Sequence, residues 1–168
     1  MLWPPRPRGV AEPRGPLRSS GFWLHHAALT WRQQVDQRLR PLGLTHTQFN
    51  LLASTSWLRA TEGAPTQQRI ADMSGSDRMM ASKVIANLER RGLVARQADA
   101  ADARVKRLVT TAEGTSLVQQ AVRIVAEIDR DLFGAPSASR DAVTSALQRI
   151  VETDGTRFAP HSGTLPVS

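Results

Sequence analysis

Basic side chains recur between residues 66 and 114 with a spacing that suits binding to a polyanion. Arg78 and Lys83 lie in a segment with helical periodicity, and Arg104 and Lys106 lie in a later segment that alternates like a strand. Arginine and lysine bind phosphate oxygens, and arginine can also donate two hydrogen bonds to guanine. The chemistry that these residues favour is therefore recognition of a nucleic acid.

A short helix is predicted to come first among the elements that position these side chains. It begins after Thr66, whose hydroxyl can cap it, and it buries Ile70, Ala71 and Met73. Gly75 tolerates a positive φ, so we expect it to end this helix and turn the chain sharply.

A second, longer helix follows the turn. Ser76 is predicted to cap it, with Asp77 in its first turn, near the positive end of the helix dipole. Its apolar face has the spacing i, i+3, i+4, i+7 and consists of Ala81, Val84, Ile85 and Leu88. The opposite face is small, polar and basic, and it carries Arg78, Met79, Ser82, Lys83 and Ala86. Such a face suits a helix that enters the DNA major groove by its N-terminal end.

A basic hairpin is predicted after the second helix. Residues 93–96 and 104–110 form its strands, and the small, polar residues 98–102 form the loop between them. Two helices followed by a hairpin indicate a winged helix-turn-helix within a mainly α fold.

The segment from Leu88 to Gly114 also carries a specific signature. Residues 88–96 are LERRGLVAR, residues 102–104 are DAR, and residues 111–114 are TAEG. This pattern resembles the MarR family of bacterial regulators, whose signature is L-E-x-x-G-L-V-x-R, then D-x-R, then L-T-x-x-G. The resemblance extends over roughly residues 21–153. Thr110 stands where the family usually has leucine, and we expect a mild loss of core packing there.

The resemblance implies a regulator that binds double-stranded DNA, and Arg104 would be the wing residue that reaches the minor groove. Alternation along a strand allows only one of Lys106 and Arg107 to meet phosphate. Gln67 and Gln68 begin a helix and can contact backbone phosphate. The candidate DNA-binding residues are Gln67, Gln68, Ser76, Arg78, Met79, Ser82, Lys83, Arg96, Arg104 and Lys106.

Apolar helices at both ends of the chain predict a homodimer. We divide the chain into a basic, disordered leader (1–20), a MarR-like domain (21–154) and a disordered tail (155–168). Within the domain, the DNA-binding lobe covers about residues 45–111 and the dimerisation helices about 21–40 and 112–153. The last two helices carry the apolar residues Leu117, Ala121, Ile124, Val125, Ile128 and Leu132, then Val143, Ala146, Leu147, Ile150 and Val151. A two-fold dimer predicts a near-palindromic operator.

Composition narrows the function further. The net charge is +7 and the isoelectric point is near 11.4, which favours an acidic partner. The chain has no cysteine, so disulfides and thiol-based oxidation sensing are excluded. No apolar run approaches the roughly 18 residues of a membrane span. With no metal-ligand spacing and no catalytic or nucleotide motif, we expect a cytoplasmic protein that is not an enzyme, needs no cofactor or metal, and does not bind membranes.

Two questions stay open at this stage. The resemblance implies a repressor released by a small aromatic or anionic effector, and His26, Trp31, Trp57 and Met79 are candidates to line its site. Trp31 and Trp57 could equally be core residues. The alternative function is a winged-helix protein-interaction module without specific DNA binding. Against it stand the basic hairpin and the basic second helix, which a protein-binding winged helix does not require.

Overall fold

Helices dominate the part of the chain that the structure, a computed structural model, describes: residues 15–99, 101–102 and 104–153. The elements are α1 (Ser20–Leu39), α2 (His46–Glu62), α3 (Gln67–Ser74), α4 (Arg78–Arg90), β1 (Val94–Ala98), β2 (Lys106–Thr110), α5 (Ala112–Phe133) and α6 (Ala138–Thr153). Strands β1 and β2 pair antiparallel, with Val94 opposite Thr110. The predicted fold, a winged helix-turn-helix lobe with helices at both ends, is confirmed.

Threonine side chains cap the starts of α2 and α5. Thr45 and Gln48 form a capping box, in which each side chain accepts a hydrogen bond from the other residue's backbone amide. Thr111 caps α5 by accepting a hydrogen bond of 3.0 Å from the amide of Gly114. These contacts satisfy amides that have no partner inside the helix.

The described residues begin inside the segment that was predicted to be the N-terminal leader. Gly15–Arg18 forms a 3-10 turn, and α1 already begins at Ser20 with Ser19 as its cap. The indole of Trp23 explains this order, because its Nε1 donates a 2.9 Å hydrogen bond to the carbonyl of Leu17. Residues 1–14 and 154–168 lie outside the described residues. The rest of the predicted leader, the predicted tail and the domain division therefore stay predictions.

Two apolar clusters form the core, and both include residues of the long helices. The first lies within the lobe and contains Leu51, Leu52, Leu58, Ile70, Ala71, Ala81, Ile85, Leu88, Leu93, Val94, Leu108 and Val118. The second joins α1 and α5 around the start of α2 and contains Val35, Leu39, Leu44, Phe49, Ala121 and Ile128. Ala53 and Leu117 pack against both clusters. The lobe and the long helices therefore share a continuous core.

An apolar surface remains uncovered along α1, α5 and α6. No residue of α6 is buried, although four of its five predicted apolar positions carry large side chains. These helices border a crevice of about 990 Å³, lined by apolar side chains that include Trp23, Leu24, Phe133, Leu147 and Val151. We call this surface of α1, α5 and α6 the terminal apolar layer. Leu132, an apolar residue of a predicted dimerisation helix, is also exposed.

A close backbone contact joins the lobe to α5. The amide of Thr111 donates a 3.1 Å hydrogen bond to the carbonyl of Leu93, and its hydroxyl donates one of 2.6 Å to the carbonyl of Gly92. Gly114 faces the same carbonyl of Leu93, and a Cβ atom built on Gly114 would overlap it. The first turn of α5 can therefore sit against Leu93 only because residue 114 has no side chain.

We expect Gly114→Ala to destabilise the protein by about 1–3 kcal/mol, because α5 or the backbone at Leu93 must move to make room. Gly21→Ala in α1 is the matched control. Its Cβ would lie 3.6 Å from Ser19 Oγ, an ordinary contact, and alanine favours a helix over glycine. Urea unfolding at equal protein concentration compares the two. Equal effects of both substitutions would contradict the overlap at Leu93.

Candidate nucleic-acid interface

Helix α4 begins one residue later than the sequence predicts. Asp77, and not Ser76, is its N-cap: Asp77 Oδ1 accepts hydrogen bonds from the amides of Met79 at 2.9 Å and Met80 at 3.1 Å. The Ser76 hydroxyl instead shares a 2.9 Å hydrogen bond with the hydroxyl of Ser74. A carboxylate caps as well as a hydroxyl does and also faces the positive end of the dipole, which explains the difference.

The outer face of α4 is as open as predicted. Ala81, Ile85 and Leu88 are buried in the lobe. The residues predicted to face outward are all exposed: Arg78, Met79, Ser82, Lys83 and Ala86. Neither Arg78 nor Lys83 forms an ion pair with another residue in the described part of the chain. Two cations and a methionine therefore face solvent at the N-terminal end of this helix.

Three other candidate residues are engaged inside the protein. Arg96 donates from Nε to the two carboxylate oxygens of Glu89, at 2.9 and 3.0 Å, and from Nη2 to Gln67 Oε1 at 3.3 Å. Gln68 donates to Asp72 at 2.6 Å. These hydrogen bonds connect α3, α4 and β1. Direct DNA contacts by Gln67, Gln68 and Arg96 stay predictions from the sequence.

The tip of the wing presents Arg104 and Lys106 to solvent. The strand that was predicted to begin at Arg104 begins two residues later, at Lys106, so Arg104 lies in the turn before β2. Its amide donates a 2.9 Å hydrogen bond to Asp102 Oδ1, so the aspartate of the D-x-R pattern contacts the arginine through its backbone. Lys106 is the first residue of β2 and is exposed. The wing thus carries positive charge at its outer end.

Arg107 and Asp99 form a contact that the sequence analysis did not find. Arg107 Nε donates to Asp99 Oδ2 at 2.5 Å, and Nη1 donates to the carbonyl of Ala64 at 3.3 Å. Residue 107 also forms an isolated bridge with Thr66. Arg107 therefore ties the wing to the segment before α3. The predicted alternation with Lys106 was the only sequence signal that Arg107 faces inward.

Hydrogen bonds hold the pKa of Asp99 below its usual value. The largest contribution comes from the amide of Ala101, the next from the Arg107 side chain, and a further one from the amide of Asp102. All three interactions favour the charged carboxylate over the neutral acid. The wing turn is consequently organised around an ionised Asp99.

The structure does not bring the four effector candidates together. Trp31 donates from Nε1 to Asp129 at 2.8 Å and lines the crevice of the terminal apolar layer. Trp57 packs against the core of the lobe, His26 stacks on Phe22 with ring centroids 4.3 Å apart, and Met79 lies on the outer face of α4. Trp57 is only partly buried against that core, and an effector site lined by these side chains stays a prediction.

The described residues contain neither a metal site nor a membrane-spanning helix. They contain no group of three His, Asp or Glu side chains placed to hold a metal ion. Among the same residues, no helix has the length and hydropathy that crossing a bilayer requires. His46 packs edge-on against Trp31, and burial, followed by the charge of Arg32, lowers the pKa of His46 despite the opposing effect of Asp36.

Comparison with known proteins agrees with the geometry of the lobe. The sequence model of the MarR family matches residues 44–106. The HTH-type transcriptional regulator YdcH of Bacillus subtilis (strain 168), itself uncharacterized, is 34% identical over 138 residues, which make up 82% of this chain and 93% of YdcH. The chain belongs to the MarR family.

Solved structures of MarR-like regulators have the same fold. The transcriptional repressor CouR of Rhodococcus jostii RHA1, bound to a 23-mer DNA duplex, is 27% identical with a TM-score of 0.69, over 80% of this chain and 94% of CouR. BpsR of Bordetella bronchiseptica, whose DNA binding is regulated by 6-hydroxynicotinic acid, is 25% identical with a TM-score of 0.69, over 83% of this chain and 97% of BpsR.

The departure from the MarR pattern at Thr110 is accommodated by hydrogen bonds. Thr110 is buried, with 6% of its surface exposed, and its hydroxyl shares a 3.1 Å hydrogen bond with the hydroxyl of Thr115. Its carbonyl accepts another of 3.1 Å from Arg59. A buried hydroxyl with a partner costs little, so the packing loss expected from the sequence is offset.

We expect Asp99→Asn to destabilise the wing at neutral pH and to matter less as the solution becomes acidic. Because the folded-state pKa of Asp99 is lowered, its stabilisation is complete above the ordinary value near 3.8 and is lost as the pH falls through the folded-state value. The difference in stability between wild type and Asp99→Asn can be measured from pH 7 to pH 3 by urea unfolding and by hydrogen exchange of the wing amides. In the Arg107→Gln background, Asp99→Asn should destabilise the wing less. A loss of stability on Asp99→Asn that does not change with pH would contradict the role of the ionised carboxylate.

Proposed function

We propose that this MarR-family chain is a homodimeric transcription regulator that binds specific double-stranded DNA through α4 and the wing. The observation that carries the proposal is the pair of exposed basic surfaces on one lobe, Arg78 and Lys83 on α4 and Arg104 and Lys106 at the wing tip. The protein would act in the cytoplasm without catalysing a reaction. A helix in the major groove with a hairpin beside it uses both surfaces on one face of a duplex.

The terminal apolar layer supports the dimer. It exposes large apolar side chains from three helices, among them Trp23, Leu24, Phe133, Leu147 and Ile150. A surface of this extent is typical of an interface between subunits. A second copy of the same layer would fill the crevice between α1, α5 and α6. A two-fold axis then sets two α4 helices about 34–36 Å apart, one turn of DNA, and requires a near-palindromic operator.

Repression relieved by a small molecule is the mode of regulation that we propose. Its support comes from relatives: CouR is a repressor bound to DNA, and 6-hydroxynicotinic acid, an aromatic carboxylic acid, regulates DNA binding by BpsR. In this chain, α5 contacts the lobe at Leu93 and α1 in the second core cluster. A ligand that moves α5 would therefore change the spacing of the two lobes.

A winged-helix module that binds only protein is the alternative. Such a module needs a groove or an apolar patch and has no use for unpaired cations. On this lobe, Arg78, Lys83 and the side chain of Arg104 make no ion pair with the described residues, and a desolvated protein interface would leave them without counter-charge. The charge arrangement favours DNA.

We expect Arg78→Ala and Arg104→Ala to weaken DNA binding in different ways. Wild-type protein contacting 6–10 phosphates should show log affinity falling with log salt by about 0.9 per phosphate. Arg78→Ala should flatten base preference at one position of each half-site, and Arg104→Ala should weaken binding to most sequences and lower the salt slope. Binding-site selection and salt titration measure both effects.

Two outcomes of that experiment would count against the assignments. Folded wild-type protein that binds no duplex at low salt would exclude the DNA-binding function. If Arg104→Ala rewrote base preference while Arg78→Ala left it unchanged, the roles of α4 and the wing would be reversed.

We expect Ile150→Asp to dissociate the dimer without unfolding the lobe. Ile150 is 56% exposed within its subunit, so the aspartate costs little there but would be buried between subunits. Ile128→Asp is the contrasting variant, because Ile128 is 1% exposed in the subunit's own core and its replacement should unfold the subunit. Sedimentation detects dissociation of the dimer, and circular dichroism detects unfolding of the subunit, so together they distinguish the two variants. A monomeric wild type at micromolar concentration would contradict the interface.

A further inference from the structure

Met79 and Met80, on the lobe, are exposed away from the terminal apolar layer, so the proposed dimer does not explain their exposure. Among the described residues, the exposed large apolar side chains fall in two places. One comprises residues 17–29 together with α5 and α6, and the other comprises Met79 and Met80 at the start of α4. Met79 is the most exposed of them all, at 71%. A flexible apolar side chain held this far into solvent gains nothing within its own subunit.

Helical geometry places Met79 near the centre of the outer face of α4. At about 100° per residue, it lies within roughly 30° of the direction opposite the buried Ala81, Ile85 and Leu88. Lys83 lies in nearly the same direction one turn later. Met80 is displaced from the centre by about 70°, and Arg78, at the first position of the helix, by about 130°.

The surroundings of Met79 select the kind of surface that it meets. Arg78 and Lys83 stand on either side of it in sequence and form no ion pair with the described residues. The partner must therefore be anionic at its edges and apolar at one point between them. In the major groove of DNA, the phosphates supply the charge and the C5 methyl group of thymine is the apolar group that base edges display.

We propose that Met79 reads thymine by packing its thioether side chain on the C5 methyl group, one base in each half-site. The proposal rests on the DNA-binding function above and adds to it the chemistry of one recognised base. The thioether offers no strong hydrogen-bond donor, so Met79 cannot distinguish bases by their polar edges. Its specificity comes from the methyl group alone.

Replacing thymine by deoxyuridine tests this directly, because the exchange removes the methyl group and leaves the base pair otherwise unchanged. The duplex is the site selected by the full-length protein, with each thymine replaced symmetrically in both half-sites. Wild type should lose affinity at one symmetric pair of positions by about 10–25-fold, which corresponds to about three- to fivefold for each buried methyl group. Met79→Ala should bind the thymine duplex correspondingly less well and should not respond to deoxyuridine.

Met80→Ala is the matched control, since Met80 is also exposed, at 47%, but lies away from the centre of the face. It should keep the wild-type response to deoxyuridine, and Met79→Leu should restore part of that response. The proposal is overturned if no thymine position affects wild type, or if Met79→Ala responds to deoxyuridine as wild type does. Either result leaves DNA binding intact, whereas absence of any duplex binding by folded wild type would remove the proposed function itself.

Discussion

The contact between the end of the lobe and the first turn of α5 determines how the two parts of the molecule sit together. The carbonyl of Leu93 accepts a hydrogen bond from the Thr111 amide and lies against the bare Cα of Gly114. Leu93 lies three residues after the end of α4 and directly before β1, and Thr111 directly follows β2. Helix α4, the wing and α5 therefore meet at one short stretch of backbone. Because hydrogen bonds join the start of α5 to the backbone at Leu93, a movement of α5 would also move α4 and the wing.

The basic side chains of the lobe fall into two groups, those that pair with carboxylates within the protein and those that can contact a partner. Arg69, Arg96 and Arg107 pair with Glu62, Glu89 and Asp99 at distances of 2.5–2.9 Å. The pairs at Glu62 and Glu89 are partly exposed and contribute about 0–1 kcal/mol each, so they orient the loops and the wing more than they stabilise the fold. The cations left for a partner are those that no carboxylate in the described residues engages. Net charge alone overstates how many cations can contact DNA.

Much of the fold could be predicted because it follows from local rules. Apolar spacing located the buried face of α4, and Thr66 caps α3 as predicted. The errors arise where two local choices are equally good or a distant partner decides. Asp77 and Ser76 are both good caps, and the structure uses Asp77. The pairing of Arg107 with Asp99 requires the strand register, which periodicity does not supply.

Helix α6 buries no side chain in its own subunit, and this links the lifetime of the chain to its abundance. An isolated helix of this length is marginal in water, so a newly made subunit without a partner presents α6 as a segment open to proteases. Association removes that segment from attack. We therefore expect an unpaired subunit to be degraded faster than a paired one, so that the lifetime of the chain increases with its concentration.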